Sequence, residues 1–184
     1  MYEVEVKAWV DDTPSVERAL EKICVFRRTF DKRDRYFSAP SCAAAEQWVP
    51  KQFRLRRDED QLVCTYKQKR MEDGVEVNLE REFVVSDEDA FVGLVERIGC
   101  APLVEKHKHG SLWEYHGLNV ELSEVDRLGT FLEIERLVDD DADEAVQRRA
   151  QEEVRKALVD LGGNPDRIEE RPYTRMLLEG AGKA

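Results

Sequence analysis

Residues 2–10 read Tyr-Glu-Val-Glu-Val-Lys-Ala-Trp-Val, a stretch in which charged and apolar side chains alternate. Successive side chains of a β-strand point to opposite faces of a sheet, so this alternation predicts a strand. Its two faces differ in chemistry, because Glu3, Glu5 and Lys7 share one face while valine and alanine side chains occupy the other. The question for the fold is where the charged face points.

Later segments repeat this separation of charged from aliphatic side chains. A charged strand face is usually solvated, but three amphipathic helical segments, at about 13–28, 86–98 and 139–161, need an aliphatic sheet face to cover. If the helices pack outside a closed sheet, the charged face becomes its interior. We therefore predict an α+β fold: a closed antiparallel β-barrel of about eight strands that forms a polar tunnel, with helices packed outside, as one domain over residues 1–184. The charged pairs on a shared strand face are Arg54 and Arg56, Lys67 and Lys69, Lys106 and Lys108, and Glu133 and Glu135.

The composition argues against several classes of partner. With 29 Lys and Arg against 40 Asp and Glu, the formal net charge is -11, which disfavours broad capture of nucleic acid or anionic lipid. No apolar run approaches the roughly 20 residues that span a bilayer. The four cysteines lie far apart and form no CxxC pair, so we expect reduced thiols and a cytoplasmic location. Monomer and homodimer both remain open.

The predicted interior holds acids and bases together. Arginine and lysine bind polyanions, and carboxylates hold divalent metal ions, so the combination suits a nucleotide or a polyphosphate. The alternative for the glutamates is a structural role, in which they form salt bridges with neighbouring bases.

Five segments carry a pattern that extends over most of the chain. They are Glu3-Val4-Glu5-Val6-Lys7, Asp34-Arg35-Tyr36-Phe37, Arg54-Leu55-Arg56, Thr65-Tyr66-Lys67 and the segment 125–135, which ends Leu128-Gly129-Thr130-Phe131-Leu132-Glu133-Ile134-Glu135. In this order they resemble the ExExK, D-x-Y-F, R-x-R, T-Y-K and L-G-x-F-x-E-I-E motifs of the CYTH or triphosphate tunnel metalloenzyme superfamily. The resemblance is strongest to the class IV adenylyl cyclase-like branch of that superfamily.

This resemblance implies roles for ten residues of the predicted interior. A triphosphate-containing small molecule would be the ligand, and Mg²⁺ or Mn²⁺ the cofactor. Glu5, Glu133 and Lys67 would be the catalytic residues. The implied metal ligands are Glu3, Glu5, Glu133 and Glu135, and the implied phosphate-binding residues are Lys7, Arg54, Arg56, Lys67, Lys106 and Lys108.

The resemblance also implies a reaction, the conversion of ATP to cyclic AMP and pyrophosphate. The alternatives are hydrolysis of tripolyphosphate, thiamine triphosphate or a nucleoside triphosphate, and a binding module without turnover. The branch usually has Asp where this chain has Ser123. Two alternatives follow: Glu121, Glu124 or a water molecule compensates, or the chemistry is weaker or altered.

Two local patterns need the structure to interpret them. Alternation alone does not decide whether Arg81 or its neighbours Glu80 and Glu82 point inward. His107 and His109 form an HxH pair, but they alternate with lysines and should face away from the interior, which argues against a zinc site.

Overall fold

The computed structural model describes residues 2–38, 52–72, 75–139 and 143–181. Among these residues, no helix combines the length and the apolar character needed to cross a membrane. The strands are β1 Tyr2–Trp9, β2 Val25–Ser38, β3 Gln52–Asp58, β4 Gln61–Glu72, β5 Val75–Val84, β6 Ala101–Tyr115, β7 Leu118–Val125 and β8 Gly129–Val138. The helices are α1 Thr13–Ile23, α2 Glu88–Arg97, α3 Glu144–Asp160 and α4 Tyr173–Ala181, with a 3-10 turn at Pro165–Arg167.

The eight strands close into a barrel in the order β1-β5-β4-β3-β2-β6-β7-β8, and all neighbours are antiparallel. Closure occurs between β1 and β8, where Lys7 lies opposite Glu133 and Glu5 opposite Glu135. The predicted α+β fold with a closed antiparallel barrel is therefore confirmed.

The aliphatic strand faces point outward and pack against the helices. Val4, Val6 and Ile134 are buried with Leu20 of α1 and Leu158 of α3 in one large cluster. Removing such side chains from water contributes about 1.5–3 kcal/mol each, which explains why amphipathic helices cover this side of the barrel. The charged faces are left for the interior.

One end of the barrel interior is apolar. Trp9 and Phe131 follow the inward alternation of β1 and β8, and their ring centroids are 4.2 Å apart. Tyr173 and Met176 of α4 pack against them in the same cluster, together with Val125. These five residues form what we call the apolar floor, and the polar part of the interior lies beyond it.

The structure differs from the sequence pattern at Gly110. The pattern predicts two strands, 103–109 and 111–116, with Gly110 near a turn, whereas β6 continues through it. A Cβ atom at this position would lie 2.2 Å from the Leu122 carbonyl oxygen and 2.6 Å from Ser123 Cα. The glycine therefore permits close approach of β7 rather than a change of chain direction.

The ends of the helices also differ in detail from the prediction. The first helix ends at Ile23, five residues earlier than predicted, because β2 already begins at Val25. Aspartates provide the N-caps in each case: the side chains of Asp12, Asp87 and Asp143 each accept a hydrogen bond from the backbone N–H three residues later.

Candidate active site

A cavity of about 400 Å³ occupies the polar part of the barrel interior. Nine of the ten predicted site residues line it together. They are Glu3, Glu5, Lys7, Arg54, Arg56, Lys106, Lys108, Glu133 and Glu135. The tenth, Lys67, lies in β4 two residues from the cavity residue Thr65, but its side chain is outside the part of the chain that the structure describes.

Charge on the described cavity wall is divided between two halves of the barrel. All six carboxylates come from the adjacent strands β7, β8, β1 and β5, and we call this half the acidic wall. Five of the six basic side chains come from the adjacent strands β3, β2 and β6, which we call the basic wall; Lys7, on β1, is the exception. The acidic wall consists of Glu121, Glu133, Glu135, Glu3, Glu5 and Glu82, and the basic wall of Arg54, Arg56, Lys32, Lys106 and Lys108.

A buried aspartate holds part of the basic wall in place. Asp34 Oδ1 accepts a hydrogen bond from Arg56 Nε at 2.7 Å and Oδ2 accepts one from Arg56 Nη2 at 3.0 Å, and Lys106 Nζ lies 2.9 Å from the same Oδ2. Burial alone would raise the pKa of Asp34, but the charges of Lys106 and Arg56 outweigh it and hold that pKa well below its usual value. Asp34 therefore remains ionised and orients two cations toward the cavity.

A second ionic cluster joins the two walls. Glu121 accepts hydrogen bonds from Lys32 and Lys108, each at 2.5 Å, and Lys108 also contacts Glu133 at 2.5 Å. Burial opposes ionisation of Glu121, but the two lysines lower its pKa overall. For Lys32, burial and the nearby cations Lys108 and Arg56 outweigh the attraction of Glu121, so its pKa is lowered. Acids and bases in this cluster neutralise each other.

Ser123 stands where the related branch usually has aspartate, and the structure shows its surroundings. Ser123 is buried, and its Oγ makes no hydrogen bond within the described part of the chain. Glu124 is exposed and does not line the cavity, whereas Glu121 does. Of the two glutamates considered from the sequence, only Glu121 is therefore positioned to compensate for the missing aspartate.

Helix α4 contributes a residue that the sequence analysis missed. The Tyr173 hydroxyl donates a hydrogen bond to Glu133 Oε1 at 2.7 Å, and the ring centroid lies 4.3 Å from Lys7 Nζ and 4.9 Å from Lys106 Nζ. Lys7 Nζ also donates to the Arg171 carbonyl oxygen at 2.9 Å. Because α4 is distant in sequence from every strand motif, strand alternation carries no signal for this contact.

Replacing Tyr173 with Phe tests this contact. Because the hydroxyl binds a buried carboxylate, we expect Tyr173→Phe to lower the free energy of unfolding by about 1.5–3 kcal/mol, as measured by urea denaturation. Tyr115→Phe is the matched control, since Tyr115 donates to the exposed Asp160 at 3.3 Å. Equal decreases in the free energy of unfolding for the two variants would contradict the expectation that burial strengthens the hydrogen bond of Tyr173.

The structure also places the ambiguous residues. Glu82 lines the cavity, while Arg81 is exposed; the side chain of Glu80 is outside the described part. Lys32 and Asp34 were not assigned a role from the sequence, although they alternate with Tyr36 on the inner face of β2 and this spacing was a usable signal. His107 and His109 do not line the cavity, as expected.

Comparison with known proteins identifies relatives over nearly the whole chain. A protein of Methanocaldococcus jannaschii named "Putative adenylate cyclase" is 23% identical over 177 residues, which cover 96% of this chain and 98% of the relative. A solved structure from Pyrococcus horikoshii OT3 is similar with a TM-score of 0.80 at 26% identity, covering 96% of this chain and 98% of that one.

A second solved structure is also similar. It belongs to a protein of Hippeastrum described as a "putative adenylyl cyclase" with a dominant triphosphatase activity. The TM-score is 0.63 at 16% identity, covering 99% of this chain and 97% of that one, so this similarity concerns the fold. The family model for the CYTH domain matches residues 1–163. This chain belongs to the CYTH domain family.

Proposed function

We propose that this chain is a metal-dependent enzyme that binds a triphosphate in the barrel cavity and cleaves one of its phosphoanhydride bonds. The observation that carries the proposal is the division of the cavity into an acidic and a basic wall. In this proposal the basic wall, with Lys7 and Lys67, binds phosphate oxygens. Its arginines offer planar, bidentate donors and its lysines compact charges.

The charge balance supports a metal requirement. Six carboxylates and six basic side chains line the described cavity, so the wall has no net positive charge to neutralise a polyanion. A triphosphate would therefore enter with cations of its own. The acidic wall supplies oxygen donors only, which suit Mg²⁺ or Mn²⁺, and Glu3, Glu5, Glu133 and Glu135 would hold the ion. When bound, such an ion neutralises charge on the phosphate oxygens.

Binding then requires an exchange of partners inside the cavity. Without ligand, Lys108 is neutralised by Glu121 and Glu133, and this is the salt-bridge arrangement considered from the sequence. With a metal triphosphate, the lysine would turn to phosphate oxygens and the carboxylates to the metal. Both arrangements keep every buried charge compensated, which a buried ionic site needs. We propose Glu5, Glu133 and Lys67 as the residues nearest the reacting phosphorus.

We favour hydrolysis of the triphosphate as the main reaction. Three aromatic residues are on the described wall: Tyr36 and Tyr173 lie within 6 Å of lysine ammonium groups and so serve the ionic site, while Phe53 stacks on the buried ring of Phe37. This wall suits a polyphosphate better than a base, and a protein of similar fold is described with dominant triphosphatase activity. Cyclisation of ATP is the second candidate, supported by the name of the M. jannaschii relative.

Product analysis separates these reactions. The purified chain is incubated with ATP and Mg²⁺ or Mn²⁺, and cyclic AMP plus pyrophosphate are resolved from ADP plus phosphate. Tripolyphosphate and thiamine triphosphate are assayed in parallel, with Glu5→Gln protein purified identically as the control for contaminating phosphatases. ADP and phosphate alone would exclude the cyclase. Tight binding of all three compounds without any product would exclude an enzyme and favour a binding module.

Arg54 provides a test of the basic wall. It contacts Thr65 at 3.1 Å and Glu82 at 3.6 Å and lines the cavity. A charge-assisted hydrogen bond is worth about 1.5–3 kcal/mol, so Arg54→Ala is expected to raise KM for the best substrate about 10-fold to 100-fold. Arg57, on the outer face of β3 and paired with Glu88, is the control. An unchanged KM in Arg54→Ala would show that Arg54 does not bind the phosphate groups of the substrate.

We also propose a cytoplasmic location. Cys24, Cys64 and Cys100 are free thiols in the structure. Burial raises the pKa of Cys24 and of Cys64 to about 11, which keeps both protonated and poorly reactive at neutral pH. Such thiols need no oxidising compartment, and mass spectrometry with an alkylating reagent on freshly lysed cells would detect them as reduced.

A further inference from the structure

The outer face of β6 brings two histidines and an aspartate together. His107 and His109 alternate with the cavity lysines and therefore point away from the barrel interior. Each of His107, His109 and Asp126 offers one potential ligand atom, and these three atoms lie within 4.8 Å of one another. We propose that this cluster, which we call the outer histidine site, binds a transition metal ion such as Zn²⁺.

The backbone arrangement brings the third ligand, Asp126, beside the histidines, and the sequence pattern did not predict this contact. Asp126 follows β7, and its N–H donates to the His107 carbonyl oxygen at 3.1 Å, which holds it beside β6. Its side chain contacts His107 Nδ1 at 2.9 Å. The HxH pair alone offered two ligands, whereas strand pairing supplies a carboxylate 17 residues away from His109 in sequence.

A further aspartate orients one of the ligands. Asp31 of β2 lies with both carboxylate oxygens 3.0 Å from His107 Nε2. A carboxylate that accepts the N–H of one ring nitrogen leaves the other nitrogen available to a metal, as is common for metal-bound histidines. Asp31 therefore acts as a positioning residue for His107.

His109 has a ring nitrogen that ion pairing does not account for. Its Nδ1 is a buried atom with no hydrogen-bond partner within the described part of the chain, and its Nε2 lies 3.7 Å from Glu124. A metal-free alternative exists for His107, in which a protonated ring bridges Asp31 and Asp126. That alternative gives no role to His109, so substitution of His109 separates the two interpretations.

The chemistry of this site differs from that of the cavity. Imidazole nitrogens suit Zn²⁺, Ni²⁺ and Cu²⁺, while the acidic wall offers only carboxylate oxygens, which suit Mg²⁺ and Mn²⁺. The inference does not depend on the proposed enzymatic function. Because β6 also carries Lys106 and Lys108 on its inner face, a bound ion would fix the strand that presents both lysines.

Isothermal titration calorimetry with ZnCl₂ tests the site on the full chain, prepared without a histidine tag and freed of metal with a chelator. The titration is repeated in Glu133→Gln protein, so that zinc held by the cavity is distinguished. We expect stoichiometric zinc binding in both backgrounds. Even a residue that only orients a ligand contributes about 10-fold to 100-fold to metal affinity. The zinc affinity of His109→Ala should therefore fall by about 100-fold or more, and that of Asp31→Asn by about 10-fold or more.

His116→Ala is the matched control, because His116 is the third histidine of the chain and lies exposed in the β6–β7 turn. It should keep the original zinc affinity. Zinc should also raise the thermal unfolding midpoint of the original chain and of His116→Ala, but not that of His109→Ala. No zinc binding by the original chain, or equal affinities in His109→Ala and His116→Ala, would overturn the proposal.

Discussion

Replacing Glu133 with Gln is expected to lower turnover about 100-fold or more at limiting Mn²⁺, and excess Mn²⁺ is expected to restore part of it. Glu133 is buried on the acidic wall, opposite Lys7 on β1 and Glu121 on β7. The change keeps the shape of the side chain and an acceptor for the Tyr173 hydroxyl, but it removes one anionic ligand. The measurement is the rate against metal concentration, with whichever triphosphate the product analysis identifies.

The control for this substitution is Glu105→Gln. Glu105 lies on β6 with an 82% exposed side chain, so the same isosteric change removes a charge from the outer surface. Its metal dependence should match that of the original chain. If Glu133→Gln retained the original rate at limiting Mn²⁺, the assignment of Glu133 as a metal ligand would be wrong. Calorimetric titration with Mn²⁺ gives the same comparison without turnover.

Much of the barrel follows from strand alternation, because a period of two assigns each residue to one of two faces. Glu3, Glu5 and Lys7 could be placed together on this basis, as could Glu133 and Glu135. The helices indicated that the charged face points into the barrel, because their apolar stripes need the aliphatic face to pack against. The closed barrel confirms that reasoning.

Alternation could not predict the division into two walls. That division depends on which strands are neighbours, and the order around the barrel places β1 beside β5 and β8, while β2 lies between β3 and β6. These pairings join residues that are far apart in sequence, such as Asp34 and Lys106. A one-dimensional pattern assigns faces, but it carries no information on register or on strand order.

The contribution of α4 was also beyond the sequence pattern. Strand alternation assigns no role to Tyr173, whereas its hydroxyl binds Glu133 and its ring borders three lysines. Gly110 illustrates the opposite error, since a glycine inside a β pattern was interpreted as a turn. In both cases the deciding contact comes from another element of the fold, which the alternation within one strand does not report.

Asp34→Asn is expected to lower the free energy of unfolding by about 3–5 kcal/mol at pH 7. The variant keeps a hydrogen-bonding side chain of nearly the same shape, but it leaves the cations of Arg56 and Lys106 without their buried counter-charge. Asp58→Asn is the matched control, because Asp58 pairs with Arg28 in a partly exposed position, and it should cost less than about 1 kcal/mol. Urea denaturation measures both.

The pH dependence follows from the direction of the Asp34 pKa shift. The folded pKa lies well below the usual value of 3.8, so the unfolded chain takes up a proton first as the pH falls. The stabilisation by Asp34 is therefore fully present above about pH 5 and is lost progressively on acidification below it. The difference in unfolding free energy between the original chain and Asp34→Asn should be constant from pH 7 to about pH 5 and should shrink at lower pH.

The same variant connects stability to ligand binding. Without Asp34, Arg56 and Lys106 face the cavity as uncompensated cations, and a polyanion would supply the missing negative charge. Tripolyphosphate should then stabilise Asp34→Asn more than it stabilises the original chain, as measured by the shift of the thermal unfolding midpoint at equal ligand concentration. Asp58→Asn, whose cavity is unaltered, should show the shift of the original chain. An equal shift in all three proteins would indicate that Arg56 and Lys106 do not contact the ligand, and would leave Asp34 with a purely structural role.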